Sequence, residues 1–296
     1  MMAKQIIGIL ICSVFIISNV PIIAMQEIDL EDNTVYDDQF YLNNIQIDAS
    51  ETVYRAVLIG ISNYPSFGDL PYSLHEIGRF HETLLQSSNW NDSHITVLLS
   101  EGATKQQIFA AIEELSLNAD ENDVSLFFFV GHGGRNTTNE RIIAYDESIT
   151  DVELDVQFSS VLGEVIIILD SCFSGGFIEE LEKPNRIVLT ACGADESTYQ
   201  IQDLESGIFG YFLNAFLASI TKKVEPLFAL TWFFSLYYST IHSKDSDLIE
   251  PIHPRMSDGT KGLTTVIQKR TQLLASLDSI LLDAVRSPSE KIWIMS

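Results

Sequence analysis

Residues 165–177 read V-I-I-I-L-D-S-C-F-S-G-G-F. An apolar, mostly β-branched run passes into an acid, a cysteine and a pair of glycines. A short run without polar interruption suits a strand buried on both faces, as in a parallel sheet. The glycines at 175 and 176 permit a sharp change of direction after it. The thiol of Cys172 is therefore expected just past the C-terminal edge of a central strand, where open α/β sheets place their ligands.

Working outward, apolar strand-like runs recur at 54–61, 95–99, 124–130, 187–191 and 263–267. Helical patterns lie between them at 73–85, 104–115, 208–220, 226–243 and 271–285. The first has an apolar face of Leu74, Ile77, Phe80, Leu84 and Leu85. The second opens with T-K-Q-Q at 104–107, the spacing of a capping box. The segments 194–206 and 245–262 read as loops. Strands alternating with helices predict an α/β fold, a mostly parallel six-stranded sheet with helices on both faces.

The chain has 296 residues, a formal net charge of −24 and 46% hydrophobic residues. There is ample material for a core. The charge argues against nucleic acid or an anionic membrane as partner. It fits a soluble protein, or one that attracts basic substrates. Residues 1–24 read as a secretory signal, with Lys4 first, an apolar stretch next and Ala24 at the cleavage position. The alternative is an uncleaved anchor over 6–23. Either reading places the body of the protein outside the cytoplasm, secreted or membrane-anchored. Residues 25–52 form an acidic linker or pro-segment. Residues 227–238 are apolar but too short to span a bilayer, so a buried helix is expected.

Cys12 lies in the leader, which leaves Cys172 and Cys192. An even count in an oxidising compartment permits a disulfide, and a functional thiol stands beside that reading. His132 follows the third strand in G-H-G-G (131–134), as Cys172 follows the fourth. Alone, a histidine in a glycine loop is a turn residue and a buried cysteine a small hydrophobe. Together, at the ends of neighbouring strands, they meet the requirement of thiol nucleophilic catalysis, a thiolate with an imidazole to generate it. Gly133 lets its backbone N–H approach a carbonyl closely, so the N–H groups of Gly133 and Cys172 can form an oxyanion hole. No CxxC or HxxxH spacing suggests zinc, and no G-x-S-x-G elbow suggests a serine hydrolase.

The runs F-F-F-V-G-H-G-G (127–134) and I-I-I-L-D-S-C-F-S-G-G (166–176) resemble the caspase/metacaspase superfamily of cysteine peptidases, whose clan includes legumains and gingipains. A-V-L-I-G-I-S-N-Y (56–64), T-A-C-G-A-D-E-S (190–197) and G-I-F-G-Y-F-L (207–213) are similar to other parts of the same domain. The likeness spans roughly 53–262. It implies a caspase-like three-layer sandwich over 53–268, with 269–296 as a C-terminal helix and tail. It also implies a Cys–His dyad endopeptidase, with Cys172 as nucleophile, His132 as acid/base, and Gly133 with Cys172 as oxyanion donors. By the same resemblance Asp170 lines the pocket for the side chain before the cut bond and favours Arg or Lys. The other reading of Asp170 is a carboxylate that only orients its loop.

The sequence departs from the family in places. Phe173 stands where metacaspases usually carry histidine. Glu76 falls near a second acidic pocket position, but the residues before it, Y-S-L-H, do not match the usual G-C-x-N-D, so no role is carried over. The stretch between the fourth and fifth strands is short, against two-chain maturation. Calcium, used by many metacaspases, has candidate ligands in Asp146, Asp151, Asp155 and Glu179; the hydrolysis itself requires no cofactor. The expected partner is a protein or peptide substrate, with the oligomeric state left open. A catalytically inactive interaction module and a legumain-like enzyme with another preference are the alternatives.

Overall fold

The structure is a computed structural model that describes residues 51–219, 223–243, 249–260, 280, 283 and 291–296. Its centre is a six-stranded sheet built from β1 (Tyr54–Gly60), β2 (Trp90–Leu99), β3 (Val124–Val130), β7 (Glu164–Asp170), β8 (Arg186–Thr190) and β11 (Arg255–Asp258). The spatial order is β11-β8-β7-β3-β1-β2. Five strands are parallel, and β11 runs antiparallel at the edge beside β8.

The crossovers place the helices. Helix α1 (Ser73–Leu85) carries the chain from β1 outward to β2, and α2 (Lys105–Asn118) carries it back past β1 to β3. Right-handed crossovers in opposite directions put these helices on opposite faces. Side chains alternate along β3, so consecutive phenylalanines meet different layers. Phe128 packs edge-to-face on Phe80 of α1, with centroids 4.8 Å apart. Phe127 packs on Phe158 of α3 (Asp151–Phe158), at 5.3 Å. Helix α3 joins the α2 layer, with α4 (Ile178–Leu181) beyond it. Helices α5 (Ile208–Ser219) and α6 (Val224–His242) join α1. A sheet buried on both faces needs continuous apolar strands, and β3 and β7 supply them.

Two small sheets decorate the rim: β4 (Gly133–Arg135), β5 (Glu140–Ile143) and β6 (Ser148–Thr150) form one, β9 (Tyr199–Ile201), β10 (Ser206–Gly207) and β12 (Ile292–Ile294) the other. Thr104 accepts a hydrogen bond from the Gln107 N–H at the start of α2. A complete reciprocal capping box sits at Thr150 and Glu153, before α3.

Several expectations change. The segment 245–262 is not wholly loop, because R-M-S-D pairs with β8 as the sixth strand. The segment 194–206 likewise holds β9. Of the tail assigned to 269–296, the described strand β12 pairs with β9. On α1 the buried stripe is Ser73, Glu76, Ile77, Phe80, Thr83 and Leu84, whereas Leu74 is half-buried and Leu85 exposed. The stretch 227–238 does lie in a core-packed helix, α6. The leader at 1–24, most of the linker 25–52 and the strand expected at 263–267 fall outside the described residues, as does nearly all of the helix expected at 271–285.

Candidate active site

Strand register sets the geometry. Val130 of β3 pairs with Asp170 of β7. Two residues past each lie His132 and Cys172, so both leave the same sheet edge at the same height. The Gly131 N–H donates to the Asp170 carbonyl at 3.3 Å, which continues the pairing one step beyond the strands. Gly133 then passes directly over Cys172. A Cβ at position 133 would stand 2.1 Å from the Cys172 carbonyl oxygen and 2.8 Å from Ser171 Oγ. Only glycine fits there.

The backbone N–H groups of Gly133 and Cys172 converge on one acceptor. Both donate to the carbonyl oxygen of Met295, at 2.9 and 3.4 Å. This is a two-donor cradle for a carbonyl, formed by the pair of residues expected from the sequence.

The loop after β1 orients His132. Nε2 lies 2.7 Å from the Gly68 carbonyl oxygen. A carbonyl only accepts, so Nε2 carries the hydrogen and Nδ1 is the basic nitrogen of the neutral ring. Among the described residues the buried Nδ1 makes no hydrogen bond of normal geometry. Tyr64 and Phe67 pack on the imidazole at 4.8 and 5.5 Å between centroids. The Tyr64 hydroxyl accepts from the His132 N–H at 3.0 Å and donates to the Ile143 carbonyl at 3.1 Å. Burial pushes His132 below the usual imidazole value, against the Gly68 and Met295 carbonyls, which favour the protonated ring.

The thiol of Cys172 is buried. The Thr198 N–H donates to Sγ at 3.2 Å. Burial pushes the thiol up to about 11, against the opposing pull of that N–H. Cys172 and Cys192 are both free thiols, so no disulfide masks the sulfur. Cys192 points its own sulfur at the Ser171 and Glu196 carbonyls, 3.4 and 3.2 Å away. Phe173 takes a left-handed backbone, φ 60°, and its N–H donates to the Glu196 carbonyl at 2.8 Å.

Asp170 is fully buried at the end of β7. Its Oδ2 accepts from the Gly210 N–H at 2.9 Å. Beside it lies Glu76, whose Oε2 accepts from the Gly207 N–H at 2.7 Å and from Ser206 Oγ at 2.8 Å. A Cβ at position 210 would fall 1.9 Å from Glu76 Oε1 and 3.0 Å from Asp170 Oδ2, so a glycine makes room for the pair. Burial first, and then mutual repulsion and a shared proton, hold Asp170 well above the usual carboxylate range; burial raises Glu76 as well. Apart from that shared proton, Glu76 Oε1 and Asp170 Oδ1 are buried with no donor facing them among the described residues. The signal for Glu76 was available, since a charged residue on a buried helical stripe demands a partner.

The acids considered for calcium do not converge. Asp155 is ion-paired with Arg186 at 2.5 Å and Lys183 at 3.5 Å. Asp146 accepts from the Lys105 N–H at 2.8 Å, and Asp151 from Asn139 Nδ2 at 3.1 Å. Among the described residues no group of three or more His, Cys, Asp or Glu side chains is placed to hold a metal ion.

The fold and cleft define a class: a caspase-like α/β sandwich whose cysteine and histidine leave adjacent parallel strands. Residues 54–246 match the family model described as the caspase domain, and the chain belongs to that family of cysteine peptidases. It is 31% identical to metacaspase-4 of Arabidopsis thaliana over 148 residues, 44% of this chain and 35% of that protein. It is 32% identical to metacaspase-7 of the same plant over 160 residues, 45% and 40% of the two chains. A paracaspase of Dictyostelium discoideum is 24% identical over 202 residues, 63% and 48% of the two chains. The matches thus span between a third and a half of these curated relatives. A Geobacter sulfurreducens protein of solved structure shares the fold, with TM-score 0.51 and 14% identity over 75% of this chain and all of that one.

Proposed function

We propose that the protein is a cysteine endopeptidase that uses Cys172 and His132 as a dyad and cuts after Arg or Lys. The observation that carries this is the Met295 carbonyl, held by the Gly133 and Cys172 N–H groups beside the thiol and the imidazole. A substrate carbonyl in that position meets every group the reaction needs.

His132 Nδ1 takes the thiol proton as Sγ attacks the carbonyl carbon. The tetrahedral oxyanion draws on the two N–H donors. On collapse the C–N bond breaks, and His132 returns the proton to the departing amine. A water then gives a proton to His132 and attacks the thioester; the C–S bond breaks, and His132 passes that proton to the departing sulfur, which restores the neutral pair. The Gly68 carbonyl holds the Nε2 hydrogen throughout and so keeps Nδ1 as the working nitrogen. The starting pair is neutral, because burial disfavours both thiolate and imidazolium.

The preference for Arg or Lys draws support from Glu76 and Asp170. Two buried carboxyl groups with unmatched oxygens suit a guanidinium or ammonium, which would supply donors and discharge their shared proton. The reaction draws on no cofactor. The expected substrate is a protein or peptide, and the acidic chain favours encounter with basic ones. An extracytoplasmic location rests on the apolar leader at 1–24; among the described residues no helix is long and apolar enough to cross a membrane. The test is cleavage of fluorogenic peptides with Arg or Lys before the reporter. Cleavage should vanish in Cys172→Ala and His132→Ala, and Glu76→Gln with Asp170→Asn should erase the basic preference. Activity that survives Cys172→Ala overturns the assignment.

A further inference from the structure

The cleft described above is filled by the chain itself. We propose that residues 291–296 are an intramolecular pseudosubstrate, seated on the substrate path with Met295 at the residue whose carbonyl would be attacked. This rests on the peptidase reading of the same cleft.

Four contacts carry it. The Met295 carbonyl accepts from Gly133 and Cys172, which come from two separate segments past the sheet edge and not from β9, the strand that β12 pairs with. The Met295 N–H donates at 3.1 Å to the carbonyl of Thr198, the residue whose own N–H reaches the Cys172 sulfur. Upstream, β12 adds antiparallel to β9, pairing Ile294 with Tyr199, Trp293 with Gln200 and Ile292 with Ile201. The Trp293 ring packs edge-on against Tyr72, with centroids 5.4 Å apart. An extended segment added to one edge of a strand, with an aromatic anchor two residues before the held carbonyl, is how a peptide ligand binds by strand addition.

The occupant also fits imperfectly. A thioether carries no donor for the unmatched oxygens of Glu76 and Asp170. The segment is therefore held by backbone hydrogen bonds and by Trp293, and a methionine at that position offers the acidic pair no donor. A substrate with Arg or Lys at that position gains contacts the segment lacks, and so can displace it. Tyr72 is then a specificity residue as well, placed to receive an aromatic side chain two positions before the basic one.

An internal competitor raises apparent KM by one plus the ratio of closed to open forms and leaves kcat unchanged. The experiment uses the full chain with Trp293→Ala and, separately, Met295→Pro, which removes the N–H donated to Thr198. KM for an Arg peptide should fall by roughly tenfold or more in each, with kcat held within about twofold. The rate of Cys172 alkylation by iodoacetamide, followed by mass spectrometry, should rise by a similar factor. The synthetic hexapeptide K-I-W-I-M-S should inhibit either variant competitively. Unchanged KM and alkylation rate in both folded variants, while Arg peptides are still cleaved, overturn the proposal and leave the peptidase standing. Faster alkylation in the variants, with no cleavage by any form, supports occlusion of the cleft and overturns the peptidase.

Discussion

Adding one methyl group at position 133 separates an oxyanion role from a merely structural one. In Gly133→Ala the new Cβ would stand 2.1 Å from the Cys172 carbonyl oxygen. Carbon atoms in proteins do not approach nearer than 3.0 Å, so backbone must yield by about 0.9 Å, the difference of the two distances. The obstructing atom is main chain and cannot swing aside. The N–H of residue 133 therefore leaves the 2.9 Å contact it makes with the held carbonyl. Loss of one oxyanion donor lowers kcat by roughly 10²–10³, about 2.7–4 kcal/mol of transition-state stabilisation. KM should move little, because the contact strengthens only as charge develops on the oxygen. Steady-state kinetics on an Arg fluorogenic peptide measures this, with alkylation of Cys172 and the thermal midpoint confirming an intact fold. A folded Gly133→Ala protein with kcat within about threefold of the parent contradicts the assignment of that N–H.

Other predictions follow from the same geometry. Tyr64→Phe strips a buried hydroxyl from the His132 N–H and the Ile143 carbonyl; it should cost about 1–3 kcal/mol in urea unfolding and lower kcat more than KM, and equal stability would argue against it. Arg186→Ala leaves Asp155 without its strongest partner and should destabilise by about 3–5 kcal/mol, discounted toward the lower figure because Asp155 is partly exposed. Glu76 and Asp170 have folded values raised above their unfolded ones. Between those values the native state binds more protons, so the stability the pair contributes is complete below about pH 4 and is lost as pH rises. The double variant Glu76→Gln/Asp170→Asn should flatten the fall of the thermal midpoint above pH 4, and an unchanged slope would count against a buried pair. For the Cys172 thiol, raised to about 11, stability is likewise lost as pH climbs from about 8.5, and Cys172→Ala should remove that component of alkaline unfolding.

The central strands and the placing of His132 and Cys172 at adjacent strand ends were legible because their signals are local. An unbroken apolar run ending in D-S-C, and another ending in G-H-G-G, specify both strand and strand end. Glu76 was not carried over, because its neighbours Y-S-L-H mask its family position. Its place on the Ser73–Ile77–Phe80 stripe becomes decisive only once Asp170 is seen packed beside it. Tyr64 and Gly68 follow the first strand at the right end of the sheet, yet nothing local says that a carbonyl there meets an imidazole. Strand β11 was hidden in a proline-containing stretch, and four residues of edge strand give little periodicity. I-W-I at 292–294 is a strand-forming run, but its partner lies some ninety residues upstream, a pairing that no local pattern encodes.

The central claim is that a substrate carbonyl sits between the sulfur of Cys172 and the N–H groups that hold Met295. The most direct measurement is intact-mass and peptide mapping after incubation with an arginyl acyloxymethyl ketone, which reacts only with a sulfur lying against the held carbonyl. The account predicts one adduct per chain, on Cys172, absent in Cys172→Ala and slowed in Glu76→Gln/Asp170→Asn. An adduct on Cys192, or no adduct from a folded protein even with Trp293→Ala opening the cleft, contradicts it.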